Sequence, residues 1–191
     1  MKHTLRYCFL VSGILSAIYT QAQSIKSLDE NNGFKKYKLG SKFVMGLGVK
    51  TKQPDGSDKI VIDYAKESIG DIPVKAIDLY YFKDTLAKIV VRVPPEYYVK
   101  LNEAVHNSFG AHIQDLSSND KVKLDSMANV NYYKDDYIWK ASRIRLEYLY
   151  VYPSTGSGSY GTRELSLVYS LNDLGQRLQR AKAGISSSKN F

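Results

Sequence analysis

Three acidic residues interrupt strand-like runs of this chain, Asp63, Asp78 and Glu147. A pair of carboxylates facing one cleft, roughly 5 to 9.5 Å apart, is the apparatus of glycoside hydrolysis, and these three are its candidates here. The basic residues around them, Lys88, Arg92, Arg143 and Arg145, give the same acids a plainer role as cross-strand charge partners. Two further groupings have the residue types for chemistry without a fixed geometry. His106, His112 and Asp115 are metal-ligating types, but six residues separate the histidines and Gly110 breaks the helix between them. Gly156-Ser157-Gly158-Ser159-Tyr160-Gly161 matches the pattern G-x-G-x-x-G after a strand. A pyrophosphate loop needs a helix N-terminus next, whereas residues 162–170 alternate as a strand, so the segment reads as a hairpin connection. The sequence carries no Ser-His-Asp order, nucleophile elbow, Walker loop or metalloprotease helix, and no cofactor is expected.

The remaining chemistry-bearing feature is aromatic. The chain has 16 tyrosines, several in alternating runs that bury a ring and keep a hydroxyl wet. Its single tryptophan lies in Tyr137-Ile138-Trp139-Lys140, behind Asp135-Asp136. Trp139, with Tyr137 and Arg143, forms the candidate binding site: a large ring for an apolar sugar face or a partner peptide, flanked by a cation. The competing role for Trp139 is an anchor beneath a sheet, which is the commoner fate of a strand tryptophan.

The elements that must position these residues follow from periodicity. Pro54-Asp55-Gly56-Ser57 is a turn, and residues 59–65 a strand. Residues 75–82 and 86–93 make a hairpin through Lys83-Asp84-Thr85; in its second arm Ile89, Val91 and Val93 share one face, with Lys88 and Arg92 on the other. Pro94-Pro95 ends it and opens a helix whose stripe is Tyr98, Leu101, Val105 and Phe109, with Gly110 as its C′ residue. Residues 111–128 read as irregular and 41–49 are ambiguous. Ile144, Leu146, Tyr148, Tyr150 and Tyr152 define a long strand, residues 153–161 a Gly/Ser-rich connection, and Leu165, Leu167 and Tyr169 a returning strand. Ser170 and Asp173 cap a last helix with Leu171, Leu174, Leu178 and Ala181, ended by Gly184. The expected fold is α+β: two antiparallel sheet units with two or three packed helices. The similar spacing from Gly40 to Leu79 and from Gly110 to Leu146 suggests duplication. The domain spans 33–184, in halves of about 33–93 and 94–184, preceded by a loose leader over 23–32 and followed by a frayed tail over 185–191.

The chain's address is written in its first 22 residues. Lys2 and Arg6 precede an apolar run from Tyr7 to Tyr19, and Thr20-Gln21-Ala22 places a small residue before Gln23. These are the parts of a secretory signal, too short for a membrane span, which needs roughly 20 apolar residues. No later run is longer, so no transmembrane span is expected. Cys8, the only cysteine, lies within the apolar run, which excludes disulfides and thiolate chemistry from the exported protein. Net charge is +8, of which the signal holds two positive residues, so anionic partners are favoured. Outside the cytoplasm these are acidic glycans, wall polymers and headgroups, with no nucleic acid expected.

Asn32-Gly33-Phe34 followed by Leu39-Gly40 is similar to the opening of a broad class of uncharacterised exported bacterial proteins. In layout the chain resembles the small outer-membrane assembly lipoproteins, where a helical segment ending in Leu-Gly precedes an antiparallel sheet. It departs from them in lacking a lipobox, so membrane tethering does not carry over. The function that follows is an exported, non-catalytic binding or assembly module of the bacterial envelope, with an envelope protein, peptide or anionic glycan as partner. The alternatives are an envelope-polymer hydrolase using the cross-strand carboxylates and a secreted inhibitor or immunity-type protein. Export predicts that protein recovered from the envelope fraction begins at or near Gln23, as N-terminal sequencing or intact mass would read. Full-length protein confined to the cytoplasm would overturn that expectation.

Overall fold

A computed structural model of the chain describes residues 25–63, 66–124, 128–153, 163–176 and 179. The signal over 1–22, most of the connection over 153–161, most of the last helix and the tail over 185–191 lie outside those residues. Helix α1 covers 25–31. A small ribbon follows, β1 (Gly33–Phe34) with β2 (Tyr37–Lys38). Next come β3 (Thr51–Lys52), β4 (Asp58–Asp63), a second ribbon of β5 (Ser68–Ile69) and β6 (Ile72–Pro73), then β7 (Ala76–Phe82) and β8 (Thr85–Val93). After α2 (Tyr98–Phe109) the chain forms β9 (Gln114–Asp115), β10 (Ser118–Leu124), β11 (Ala128–Lys140), β12 (Ile144–Pro153) and β13 (Glu164–Leu171). A helical turn starts at 174. The fold is α+β with antiparallel pairing. Among the described residues no helix is long and apolar enough to cross a membrane.

The expected hairpins form for the expected reasons. Lys83 and Asp84 have φ of 47° and 60°, the left-handed pair of a two-residue turn whose twist matches that of the strands it joins. In β8 and β12 every second side chain is buried, so Ile89, Val91, Val93, Ile144, Leu146, Tyr148 and Tyr150 all enter the core. A 3₁₀ turn, Pro95–Tyr97, leads into α2, and Gly110, at φ 75°, ends it by donating its N–H to His106 O at 2.8 Å. Leu101 and Val105 are the buried members of the α2 stripe, whereas Tyr98 is 44% exposed.

The expectation of two sheet units is corrected. Nine strands form one sheet, with the order β10, β11, β12, β13, β8, β7, β4, β3, and β9 paired beside β10 on β11. Each half contributes one meander, and the two fuse through their last strands, β13 and β8, because both present apolar residues in register: Val93 with Leu165, Val91 with Leu167, Ile89 with Tyr169. A duplicated unit is not supported. Residues 111–128, read as irregular, contain β9, β10 and the start of β11. Leu171, expected to open the last helix, is the last residue of β13.

The leader expected to be loose is also corrected, since residues 25–31 are helical and held to the sheet. Leu28 is 1% exposed in the core. Asp29 accepts the backbone N–H groups of Ser142, Arg143 and Ile144, each at 3.0 Å, together with the Ser142 hydroxyl. Just beyond, Asn32 Nδ2 donates to Leu39 O at 2.9 Å, Leu39 N–H returns to Asn32 O at 2.9 Å, and Gly40 N–H reaches Leu86 O at 2.7 Å. Gly33 is required there, because a Cβ would lie 2.4 Å from Tyr37 O at a φ of 128°. The Asn-Gly-Phe and Leu-Gly pairs thus close the ribbon that carries Phe34, Tyr37 and Leu39 into the core.

Burial alone would raise the Asp29 pKa, but the four hydrogen bonds hold it below the ordinary carboxylate range. A lowered carboxylate pKa contributes stability above the unfolded value and loses it as pH falls through the folded one. Asp29→Ala is expected to destabilise by about 1 to 2 kcal/mol at neutral pH, allowing for its partial exposure. The gap from the parent should narrow on acidification, as denaturant melts at several pH values would show.

Candidate functional site

Alternation along β11 puts Tyr133, Asp135, Tyr137 and Trp139 on one face, opposite Tyr152, Tyr150, Tyr148 and Leu146 of β12. This is the face beneath α2. The Trp139 indole N–H donates to Gly110 O at 2.9 Å, and the Tyr148 hydroxyl donates to Tyr98 O at 3.0 Å. Both ends of the helix are thereby tied to the sheet. Burial drives the Tyr148 pKa well above the ordinary phenol value.

The three residues singled out as a binding site do not converge. Trp139 is 0% exposed, boxed by His106 and His112 with ring centroids at 5.1 and 6.0 Å, so its ring is a core anchor and faces no ligand. Tyr137 is half-buried, stacked between His112 at 4.7 Å and Tyr148 at 5.8 Å. Arg143 is exposed in the β11–β12 turn, where its backbone rather than its side chain is engaged, by Asp29. The physical reason is the helix end: α2 stops over Trp139 and covers it.

Past the other end of α2 no other helix covers the same face among the described residues. Tyr98, the first residue of α2, stacks on Tyr150 at 5.0 Å and 13°; Tyr150 stacks on Tyr152 at 4.7 Å, and Tyr152 on Tyr133 at 5.5 Å. The four rings line a cleft of about 390 Å³ with Asp135, Pro153 and Arg163. Tyr98 and Tyr133, the outer rings of the stack, are 44% and 36% exposed. Asp135 is half-buried, and among the described residues its carboxylate has neither a hydrogen bond nor an ion pair. Burial first, and the charge of Asp115 second, push its pKa up. The Arg163 cation shares the cleft without forming an ion pair with Asp135 among the described residues, so an acid set among phenol rings stays open to a positively charged or hydrogen-bond-donating group.

The carboxylates considered for hydrolysis are placed apart. Asp78 is 2% exposed and held by Lys59 at 2.8 Å and by Arg92; Glu147 pairs with Arg145 at 3.0 Å. Both stand on the face away from α1 and α2 with β8 and β13 between them, and three strand spacings make about 14 Å. That exceeds the working separation of a glycosidase pair. Asp63 ends β4 and is exposed. The charge-partner role is the one the geometry supports for Asp78 and Glu147.

The histidines do meet. His106 Nε2 lies 3.3 Å from His112 Nδ1, and His106 Nδ1–H donates to Asn102 O at 2.9 Å, a carbonyl being able only to accept. In the neutral pair His112 Nδ1–H therefore donates to His106. No group of three potential metal ligands occurs among the described residues. The G-x-G-x-x-G segment lies outside them, but the strand that defeats the match, β13, is present.

Comparison with protein-family models, with curated proteins and with solved structures gives no match to this chain. Trp139→Ala is expected to cost about 3 to 5 kcal/mol and to lower the melting temperature sharply, since it empties a fully covered position. A variant melting within a degree or two of the parent would show that the ring is not packed as described.

Proposed function

We propose that this chain is an exported, non-catalytic binding module of the bacterial envelope that receives a peptide or protein partner in the cleft of Tyr98, Tyr133, Tyr150, Tyr152 and Asp135. Export rests on Lys2, Arg6 and the apolar run after them. The observation that carries the binding role is Asp135. A carboxyl group whose folded pKa is raised holds its proton more tightly folded than unfolded, so its ionisation costs stability once pH exceeds the ordinary carboxylate range. An amide at that position would fold better at neutral pH. An acid at that position is accounted for by a ligand that supplies a donor or cation. Stacked tyrosines suit the rest of the task, because they offer rigid apolar area with a wet hydroxyl and little rotamer entropy to lose.

The test uses tagged protein on beads, envelope extract, and the variants Tyr133→Ala and Asp135→Asn. Both are expected to lose the partners captured by the parent. Asp135→Asn should also melt higher than the parent at neutral pH, with the difference disappearing once the pH falls below the ordinary carboxylate range. Undiminished capture by both variants, or a lowered melting temperature for Asp135→Asn, would refute the cleft as the binding site.

A further inference from the structure

The face of the sheet away from α1 and α2 carries a second arrangement, visible only once the register is followed from strand to strand. One row, from β11 to β4, reads Lys140, Arg145, Ser170, Lys88, Tyr80, Lys59. Five steps at the spacing of neighbouring strands make a track about 24 Å long. It contains four cations, two hydroxyls and no acid. The next row on the same face reads Ile138, Glu147, Val168, Val90, Asp78, Val61, and its two acids take Arg145 at 3.0 Å and Lys59 at 2.8 Å. Two cations of the track remain. Neither Lys88 nor Lys140 forms an ion pair among the described residues.

Lys88 is the more informative of the two. It stands near the middle of the sheet, half-buried, with its ammonium 3.9 Å from the centroid of the Tyr80 ring. Burial pulls its pKa down, outweighing the charges of Asp55, Asp78 and Glu147, none of which is in ion-pair contact with it. Lys140 is exposed at the end of β11, three strand spacings or about 14 Å away. Between them lie the Arg145 guanidinium and the Ser170 hydroxyl, and the cleft of about 410 Å³ around all four is also lined by Gln114, by Glu147, whose carboxylate Arg145 holds at 3.0 Å, and by Leu174 of the last helical turn.

We propose that this row is a binding track for an acidic polysaccharide, a linear glycan with carboxylates on successive sugars, lying across the strands with Lys88 and Lys140 as its anchors. Two anchors this far apart call for charges on one chain rather than for a single small oxyanion. Hydroxyl and amide groups interleaved with the cations match a ligand that presents hydroxyls between its carboxylates. A nucleic-acid strand would need an open aromatic face for its bases, and the one ring in the row is closed off by Lys88 and by Lys59, whose ammonium is 5.6 Å from the same centroid. The track shares no residue with the tyrosine cleft, so the two stand or fall separately.

The experiment measures binding of polygalacturonate to the full-length exported protein by calorimetry at low and moderate salt, with dextran and a single-stranded oligothymidylate as comparison probes. Polygalacturonate should bind, dextran should not, and affinity should fall as salt rises. Lys88→Gln and Lys140→Gln should each weaken binding about threefold and together about tenfold, with the melting temperature maintained. Lys26→Gln removes the same charge from exposed α1 and should leave affinity unchanged. The proposal is overturned if polygalacturonate does not bind, if Lys26→Gln weakens it as much as the track variants do, or if the oligothymidylate binds more tightly.

Discussion

The pairing of β8 with β13 is the constraint on which the rest of the molecule depends. These strands close two separate meanders, and each would otherwise be an edge with its backbone donors and acceptors unpaired. Their register sets Ile89, Val91 and Val93 against Tyr169, Leu167 and Leu165, so the apolar rows of the two meanders become continuous and one core forms under α1 and α2. The same register decides what happens on the opposite face. Slipping it by one residue would send every side chain of one meander through the sheet, emptying the core and breaking the line from Lys140 to Lys59.

With one face given to the core, the helices need only local ties, and the polar residues supply them. The indole of Trp139 and the hydroxyl of Tyr148 hold the two ends of α2, while Asp29 clips α1 to the β11–β12 turn through three backbone donors. On the far face the ties are ionic. Asp78 is almost fully covered by Lys59 and Arg92, and Asp136 by Lys134 at 2.6 Å, yet Oδ1 of each acid is left without a partner. Buried pairs of this kind add little net stability and a large penalty for losing one member, so they restrain alternative registers more than they strengthen this one.

Much of this was legible in the chain itself, for identifiable reasons. The hairpin of β7 and β8, the strands β12 and β13 and the stripe of α2 each bury one side, and a buried side leaves a period in the sequence. What lacked a period was missed. Helix α1 carries Leu28 into the core and Asp29 to donors more than a hundred residues away, contacts that leave no period in the sequence. Strands β9 and β10 carry mostly polar residues and are defined by their pairing with β11. The site was half legible. Tyr148, Tyr150 and Tyr152 announced themselves by alternation, but the partners that make a cleft, Tyr98 from a helix and Tyr133 from another strand, meet them only through the register. Trp139 misled because sequence shows the ring and not its cover.

Asp135 and Lys88 are the clearest residue of function in this molecule, and the sheet explains why both persist. Each is a half-buried charge of opposite sign without an ion pair, and the simplest repair, letting one neutralise the other, is blocked because they project from opposite faces of the same sheet. Folding therefore leaves two charges offset only in part, Lys88 by the Tyr80 ring and by Asp55, Asp78 and Glu147 at a distance, and Asp135 with Arg163 across its cleft. Neither is held there by packing, since both positions reach solvent and would accept an uncharged side chain. On the proposed reading a ligand completes what the fold offsets only in part: a donor or cation at the tyrosine cleft, an anion on the basic row. Opposite polarity on opposite faces then makes the two engagements sterically independent, the arrangement suited to holding one component while docked on another.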